Sequence, residues 1–276
     1  TVSGSPFAAG LSPGAVGVDS SGRFVYVANL NSNNVTAFRV DSSNGALAPV
    51  GVAVAAGSTP RAVSVDPSGK FVYVANGSGA AGGNSVSAYR IDASDGTLAP
   101  IDAGPEPGIQ NFPAGTAPSS VSVDPSGRFA YVANTGSSNV SAYRINATTG
   151  ALEAVTNSPF AAGLGPSAVA VDPSGRFVYV ANGSSVSISA YRIDAGNGVL
   201  IAIDADALTD GVQHFPAGTN PRSIRVDPSG QYAHVANLGD DSVSVQRIDT
   251  STGALTFIGS VTVPDPNAVT STGSIQ

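Results

Sequence analysis

The sequence predicts an all-β protein, and two observations carry that prediction. One phrase, DPSGRFVYVAN at residues 172–182, occurs in five variants at intervals of 47 to 58 residues. A period of this length indicates a repeat architecture, in which each repeat is one supersecondary unit. The second half of each copy is rich in β-branched and aromatic residues, which favour strands. The five copies begin at Asp19, Asp66, Asp124, Asp172 and Asp227.

The Asp-Pro-Ser-Gly segment and its flanks predict the first two strands of each repeat. Residues 62–65 and 168–171 precede this segment, and their alternation of small and branched side chains suits a strand in a crowded interior. The Asp accepts hydrogen bonds from the turning backbone, Pro presets the next φ, and Gly suits the end of a type I turn. The following Arg-Phe-Val-Tyr-Val-Ala-Asn segment is therefore an antiparallel second strand.

A second recurring phrase, VSAYRID at residues 86–92, predicts the third strand of each repeat. It leads each time into a Gly-X-Leu turn, such as GTL at 96–98, and a looser fourth strand follows. Four short antiparallel strands, repeated five times, are typical of β-propeller blades. The sequence thus predicts one domain, residues 1–276, with five blades of four strands each. Because a lone blade cannot bury both faces of its sheet, we expect the blades to pack into a ring.

The two ends of the chain do not fit a count of twenty strands. Residues 2–11 nearly copy residues 155–164, which predicts an N-terminal outer strand at 1–11 that closes the last blade. Residues 253–276 predict a C-terminal outer strand and tail, so one terminal strand is surplus. The chain could belong to a larger propeller, or the surplus could be a disordered tail. It could also pair with the sheet edge of a neighbouring molecule. The predicted subunit interface then comprises Val2, Phe7, Leu11, Leu255, Phe257, Ile258, Val261 and Val263.

Composition and charge exclude several classes of function. The net charge of −7 argues against nucleic-acid binding, which needs clustered Lys and Arg. No apolar run is long enough for a membrane span. The absence of Cys excludes disulfides and cysteine nucleophiles. We also expect no metal and no cofactor, because the acidic runs match no calcium-loop pattern and no nucleotide-binding motif occurs. The absence of Cys and Met fits a mature, secreted protein, with a trimmed cytoplasmic protein as the alternative.

Catalytic candidates are sought among residues that break the repeat, because a catalytic residue acts at one place. Nine of the twelve basic residues occupy repeated positions, which leaves Arg61, Arg222 and Arg225. His214 lies on a loop between blades, in the segment QHFPAG. A general base of this kind needs a carboxylate or a positioned substrate nearby. His214, Asp210 and Arg222 are therefore the candidates for a small catalytic cluster, should the protein be an enzyme.

The recurring phrases also carry a family resemblance. The YVAN segments, with DPSGR before them and YRID and TGAL after them, resemble the YVTN-type β-propeller repeat of the lactonase-like propellers. The resemblance implies a propeller fold over nearly the whole chain. It further implies hydrolysis of a small sugar lactone by His, Arg and acidic side chains near the central opening. Related propellers usually have seven blades, whereas this sequence contains five full repeats.

Three functional hypotheses follow from these patterns. The first is a secreted, non-enzymatic structural or adhesive protein that assembles with copies of itself into an extracellular filament or biofilm matrix at the cell surface. It rests on the surplus strand and the sparse catalytic set, with head-to-tail strand donation or disc stacking as the contact. Extracellular polysaccharide is a further candidate partner. The second hypothesis is a lactonase-like hydrolase of a small sugar lactone, and the third is a carbohydrate- or peptide-binding module.

Overall fold

The computed structural model describes residues 2, 4–77, 83–102, 111–203 and 214–270, and these residues form an all-β protein. Five antiparallel sheets follow one another along the chain, which confirms the predicted five blades. Blades one and two comprise β1 (Pro13–Val18), β2 (Phe24–Asn29), β3 (Asn34–Val40) and β4 (Leu47–Ala55), then β5 (Pro60–Val65), β6 (Phe71–Asn76), β7 (Ser85–Ile91), β8 (Leu98–Pro100) and β9 (Asn111–Pro113).

Blades three to five complete the described fold. Blade three comprises β10 (Pro118–Val123), β11 (Phe129–Asn134), β12 (Asn139–Ile145), β13 (Leu152–Ala154) and β14 (Phe160–Ala161). Blade four comprises β15 (Pro166–Val171), β16 (Phe177–Asn182), β17 (Ser187–Ile193), β18 (Leu200–Ala202) and β19 (His214–Pro216). Blade five comprises β20 (Pro221–Val226), β21 (Tyr232–Asn237), β22 (Ser242–Ile248) and β23 (Leu255–Thr262).

Strands pair in chain order within each blade, from the innermost first strand outwards. The fourth strand of blades two, three and four is interrupted, so that two short strands pair with the same third strand. The first strands pack side by side in the order β1, β5, β10, β15, β20 and so line the inner side of the molecule, part of the way around its axis. This arrangement places the start of every first strand at the same end of the axis.

The predicted Asp-Pro-Ser-Gly turn has the expected hydrogen bonds. In blade four, Oδ1 of Asp172 accepts from the backbone N–H groups of Arg176 and Phe177, each at 2.7 Å. Its Oδ2 accepts from the N–H of Ser174 at 3.0 Å, and Gly175 adopts a φ of 69°. Because the Asp172 side chain is only 3% exposed, it satisfies donors that water cannot reach. The aspartate is therefore a structural part of the hairpin.

Tyrosines of the repeat join neighbouring blades. The hydroxyl of Tyr179 in blade four donates to the Gly253 carbonyl of blade five at 2.9 Å. The hydroxyl of Tyr143 donates to the Pro113 carbonyl of the preceding blade at 2.5 Å. Burial raises the pKa of Tyr143 to about 12, so its phenol stays a protonated donor at neutral pH. These contacts repeat between blades and fix how each blade sits on the next.

The five blades form an arc, and the described residues show no packing between β20 and β1 comparable to that between successive first strands. Val16 of β1 is 64% exposed, whereas Val169 and Ile224 at the same position of later blades are 3% and 2% exposed. The bulky side chains between blades set the angle of each step. Five such steps do not bring the last blade back to the first, so the expected closure of a ring by these blades is not observed.

The N-terminal segment differs from its prediction. Among the described residues of 1–11 no strand is assigned, and the first strand begins at Pro13. The segment is held instead by side chains of blade one, since Asn29 Oδ1 accepts from the Gly10 N–H at 3.0 Å. It cannot complete blade five, because β23 already pairs with β22 over its whole length, from Ser242 to Ile248.

The surplus C-terminal segment packs within its own molecule. Asp265 precedes Pro266 and has a φ of 54°, and Thr59, which precedes Pro60 at the start of β5, has a φ of 50°. The two residues therefore share the same left-handed backbone conformation. Pro266 is buried, and the N–H of Val269 donates to Ser223 Oγ at 3.3 Å. Val169 makes the same contact with Ser120 of the preceding blade, at 3.2 Å. Residues 266–270 therefore lie where the first strand of a further blade would lie.

Because the five blades form an open arc, the same substitution should change the free energy of unfolding by different amounts at two equivalent positions of the first strand. We expect Val169→Ala to lower the free energy of unfolding by about 1–3 kcal/mol, because it opens a cavity between two blades. Val16→Ala should change it by less than about 0.5 kcal/mol, because that side chain contacts solvent. Urea denaturation of both variants measures the difference. Equal losses would contradict the open end of the arc.

Candidate functional site

At the start of each first strand, one residue lies outside the regular pairing with the second strand. The pairing register shifts between Pro60 and Ala62 in β5, so Arg61 is an extra residue in a β-bulge. The same shift occurs in all five blades. A bulge re-aims the side chain of its extra residue. The five residues at this position are Gly14, Arg61, Ser119, Ser167 and Arg222.

These bulges open onto a cavity of about 340 Å³, which we call the central cavity. Blades two to five contribute to it, so it lies at the end of the axis where the first strands begin. Arg61 and Arg222 reach it from the two ends of this series of blades. Between them lie hydroxyl and backbone groups of blades three and four. The remaining lining residues are Ser119, Thr135, Gly165, Ser167, Gly183, Ser184 and Asn220.

The hydroxyl groups of the wall are oriented by carbonyl groups of the next blade. Ser119 Oγ donates to the Pro166 carbonyl at 2.9 Å, and Ser167 Oγ donates to the Pro221 carbonyl at 2.6 Å. Thr135 Oγ1 also donates to the Pro166 carbonyl, at 2.6 Å. The protons of these hydroxyl groups are used in hydrogen bonds to the carbonyl groups, while the hydroxyl oxygens keep lone pairs that can accept hydrogen bonds. A ligand hydroxyl can donate to these oxygens, and the arginines supply the charged donors.

The charge of the central cavity is positive although the chain is acidic overall. Its described lining contains two arginines and neither a carboxylate nor a histidine. A guanidinium presents a planar set of donors that matches carboxylate and phosphate groups. Two such groups in a concave, polar site attract an anion more strongly than either does on a flat surface. The cavity is therefore suited to a small anionic ligand rich in hydroxyl groups.

Gly77 directs the side chain of Arg61. A Cβ atom placed on Gly77 would lie 2.5 Å from both Cδ and Nε of Arg61, so the arginine lies directly against the glycine backbone. The same atom would lie 2.7 Å from the Pro118 carbonyl oxygen. At Gly183, the equivalent residue of blade four, the nearest atoms would be 3.4 Å away. The close contact thus occurs in blade two, where Arg61 lies at the bulge, and not in blade four, where Ser167 lies at that position.

We expect Gly77→Ala to displace Arg61 and to weaken anion binding in the central cavity by about tenfold, a loss of one charge-assisted contact. Gly17→Ala should leave binding unchanged, because Gly17 lies outside the lining of the cavity and a Cβ there would meet only the side chains of Val63 and Val65, at 3.4–3.5 Å. Calorimetric titration with glucose 6-phosphate, a small anionic ligand rich in hydroxyl groups, measures the affinity of both variants. Equal affinities of the two variants would show that the glycine does not position the arginine.

The structure separates the catalytic candidates predicted from the sequence. His214 lies exposed on β19, the outermost strand of blade four, with Nδ1 3.3 Å from Ser189 Oγ. Arg222 lies on β20, the innermost strand of blade five, and lines the central cavity. The two are therefore not brought to one site, and Asp210 lies outside the described residues. Arg61, which the sequence left without a role, is the residue that joins Arg222.

The predicted interface residues are mostly at the surface. Their side chains lie at both ends of the arc and along the outer strand β23. Leu255 is buried, Phe7 and Val263 are half-buried, and the exposed ones are Val2, Leu11, Phe257, Ile258 and Val261. No contact with another chain tests their role, so the interface stays a prediction.

Two other features, a membrane-spanning helix and a metal-binding group, are absent from the described residues. No helix there has the length and apolar character needed to cross a membrane. No group of three or more His, Asp or Glu residues in that part of the chain is arranged to hold a metal ion.

The fold and the cavity define a β-propeller with a ligand-sized opening at its axis, and comparison with known proteins gives its family. The family model of the seven-bladed β-propeller lactonases matches residues 1–112, 83–215 and 201–271. The chain belongs to this family. It contains five described blades, whereas the family is defined by seven. Among curated proteins none matches the chain.

Solved structures with the same fold include named lactonases. A candidate 6-phosphogluconolactonase from Bacteroides fragilis is 20% identical, with a TM-score of 0.59, covering 95% of this chain and 87% of that one. The periplasmic gluconolactonase of Pseudomonas aeruginosa is 20% identical, with a TM-score of 0.57, covering 92% and 86%. A protein of unknown function from Desulfotomaculum acetoxidans is 15% identical, with a TM-score of 0.69, covering 95% and 74%.

These findings correct the first functional hypothesis. The interpretation of the chain as a non-enzymatic protein that assembles into an extracellular filament is wrong, because the family and the neighbouring structures support the lactonase-like alternative. The structure supplies a physical reason. The segment at 266–270 that was expected to be surplus packs on blade five, and β23 completes that blade. No described strand is left over for donation.

Proposed function

We propose that this protein is a lactonase-type hydrolase that binds a small, anionic sugar lactone in the central cavity. One observation carries the proposal. The two arginines that break the repeat at a single position, Arg61 and Arg222, converge on a cavity whose described lining holds no carboxylate. The family of the chain and the names of two neighbouring structures support the reaction class.

The cavity fits such a substrate in size and in polarity. Its volume of about 340 Å³ lies at the lower end of the roughly 300–1,000 Å³ range of small-molecule sites. One of the two guanidinium groups, which reach the cavity from its two ends, binds the carboxylate or phosphate of the sugar. The hydroxyl groups of the sugar donate to the serine oxygens of the wall, whose own protons point to carbonyls. Each donor of the ligand thus has an acceptor, and its charge has a counter-charge.

Hydrolysis adds one water molecule to the lactone. The water oxygen attacks the carbonyl carbon, and the carbonyl oxygen gains negative charge in the tetrahedral intermediate. The bond between this carbon and the ring oxygen then breaks, and the ring oxygen takes a proton that the water gave up. The product is a hydroxy acid, which loses a proton to solvent at neutral pH. A guanidinium beside the carbonyl stabilises the developing oxyanion.

A binding module for anionic sugars is the second candidate. It is favoured by the described lining of the cavity, which offers donors and acceptors for a ligand but no general base. The two functions share the same cavity and the same arginines. They differ in whether the bound lactone is turned over.

Proton release from two lactones tests the proposal. We expect the protein to hydrolyse 6-phosphogluconolactone faster than the spontaneous reaction, and to prefer it to uncharged gluconolactone. The preference should fall with rising salt, because salt screens charges at an open site. Binding of 6-phosphogluconate without turnover of either lactone would assign the module instead. Absence of both binding and turnover would contradict the proposal that the central cavity is a site for anionic sugars.

A further inference from the structure

Blade five departs from the repeat at three positions outside the central cavity. Asp240 stands where blades one, three and four have Ser32, Ser137 and Ser185. Gln246 stands at the third-strand position occupied by tyrosine in blades two to four. Phe257, paired with Gln246, replaces a proline or an alanine of the other blades. In the other four blades the residues at that position are Pro49, Pro100, Ala154 and Ala202.

Two of these departures, Asp240 and Phe257, line one pocket on the rim between blades four and five, and the third, Gln246, donates to the Pro216 carbonyl of its wall. The pocket has a volume of about 230 Å³, and we call it the rim pocket. Residues 216–218 of blade four form one wall. Phe257 and Asp240 form the other wall together with three serines of blade five. Those serines are Ser242, Ser244 and Ser260.

The change from tyrosine to glutamine creates space beside residue 216. In blade three the phenol of Tyr143 fills the gap to the preceding blade and bonds its Pro113 carbonyl. Gln246 keeps the equivalent bond, since its Nε2 donates to the Pro216 carbonyl at 2.9 Å. Its side chain has less volume than tyrosine, and Pro216 also lines the rim pocket. Gln246 Oε1 is buried and accepts no hydrogen bond among the described residues.

The walls of the rim pocket combine an aromatic face with hydroxyl and carboxylate groups. The Phe257 ring is 53% exposed, although aromatic residues of the other blades are buried in the interfaces. Asp240 is held in place, because Oδ1 accepts from Ser242 Oγ and Oδ2 from the Thr219 N–H, both at 2.9 Å. Each carboxylate oxygen keeps a further lone pair for a ligand donor. No described lining residue is basic.

We infer that the rim pocket binds one neutral pyranose unit of a carbohydrate. A pyranose has a face of C–H groups, which packs on an aromatic ring, and an edge of hydroxyl groups, which needs acceptors and donors. Phe257 supplies the first, and Asp240 with the serines supplies the second. The negative charge of Asp240, without a basic neighbour in the pocket, disfavours an acidic sugar. The rim pocket is therefore suited to a neutral sugar, whereas the central cavity is suited to an anionic one.

The repeat offers variants that the fold already accommodates. Gln246→Tyr places in blade five the residue that fills the same position in blades two to four. Phe257→Ala places there the residue of blades three and four, and removes the stacking surface. Val261→Ala is the matched control, because Val261 is 60% exposed and pairs with Val243, whereas Phe257 and Ser260 of the pocket pair with Gln246 and Ser244 on the opposite face of the sheet. Urea denaturation confirms that each variant is folded.

Saturation-transfer NMR with methyl glucoside, galactoside and mannoside, and with glucuronate, tests the inference. At least one neutral glycoside should receive saturation at its ring protons, and glucuronate should receive less. Gln246→Tyr and Phe257→Ala should each weaken that binding by about tenfold or more, as expected for a central aromatic contact. Val261→Ala should leave it unchanged. The inference is overturned if no neutral glycoside binds, if Gln246→Tyr binds as well as the wild type, or if Val261→Ala loses binding equally.

Discussion

Replacing both Arg61 and Arg222 with alanine is expected to lower kcat/KM for 6-phosphogluconolactone by about a thousandfold, and each single replacement by about ten- to a hundredfold. The reason is the loss of charge-assisted hydrogen bonds worth roughly 1.5–3 kcal/mol each. The central cavity has no other described basic residue to compensate. Steady-state hydrolysis at low salt measures the effect, because added salt screens it.

Arg247→Ala is the matched control for charge. Arg247 pairs with Tyr232 at the far end of blade five, whereas the central cavity lies at the end marked by Asn237 and Pro221. Its removal changes the net charge by the same amount at a distance from the site. If Arg247→Ala lowered kcat/KM as much as Arg222→Ala, the loss would be an effect of overall charge and not of binding in the cavity.

Asp172→Ala is expected to cause the largest loss of stability among single substitutions, about 3–5 kcal/mol. The side chain accepts from three backbone N–H groups and from the hydroxyl of Ser174. Alanine leaves the buried N–H of Phe177 without a partner, and an unsatisfied buried donor costs about 1–3 kcal/mol. The urea midpoint should fall, and the hairpin between β15 and β16 should lose amide protection.

Asp249→Ala is the control for this aspartate. Asp249 also accepts from two backbone N–H groups, of Ser251 and Thr252, but its turn is exposed to solvent. Water can replace the lost acceptor there, so the midpoint should change far less. A comparable loss at both positions would mean that the buried donors of the Asp172 turn are not the cause.

The strands of this fold were predictable because short sequence motifs in each repeat determine where its turns lie. The Asp-Pro-Ser-Gly segment and the glycine of the Gly-X-Leu turn, such as Gly198 with a φ of 81°, determine where strands reverse. The open arc was not predictable. The angle between blades depends on how side chains such as Tyr143 and Phe215 fill each interface, and no short-range pattern encodes that angle. Exposure of Val16 follows from the angle alone.

The sequence alone indicated some of the residues of the central cavity. Arg61 and Arg222 each follow the entry proline of a first strand, in PRAVSV and PRSIRV, where two other blades have serine. Comparison of the repeats position by position therefore contains the signal. His214 was grouped with Arg222 because the two lie only eight positions apart in the sequence. Proximity in sequence is misleading here, since those residues lead from the outermost strand of one blade to the innermost strand of the next.

Hydrogen–deuterium exchange with saturating 6-phosphogluconate tests most directly where the ligand binds. Protection is expected at the starts of the first strands of blades two to five, around Arg61, Ser119, Ser167 and Arg222. It should be absent from the Arg61→Ala/Arg222→Ala variant. Protection confined to the outer strands, or undiminished in that variant, would contradict binding in the central cavity.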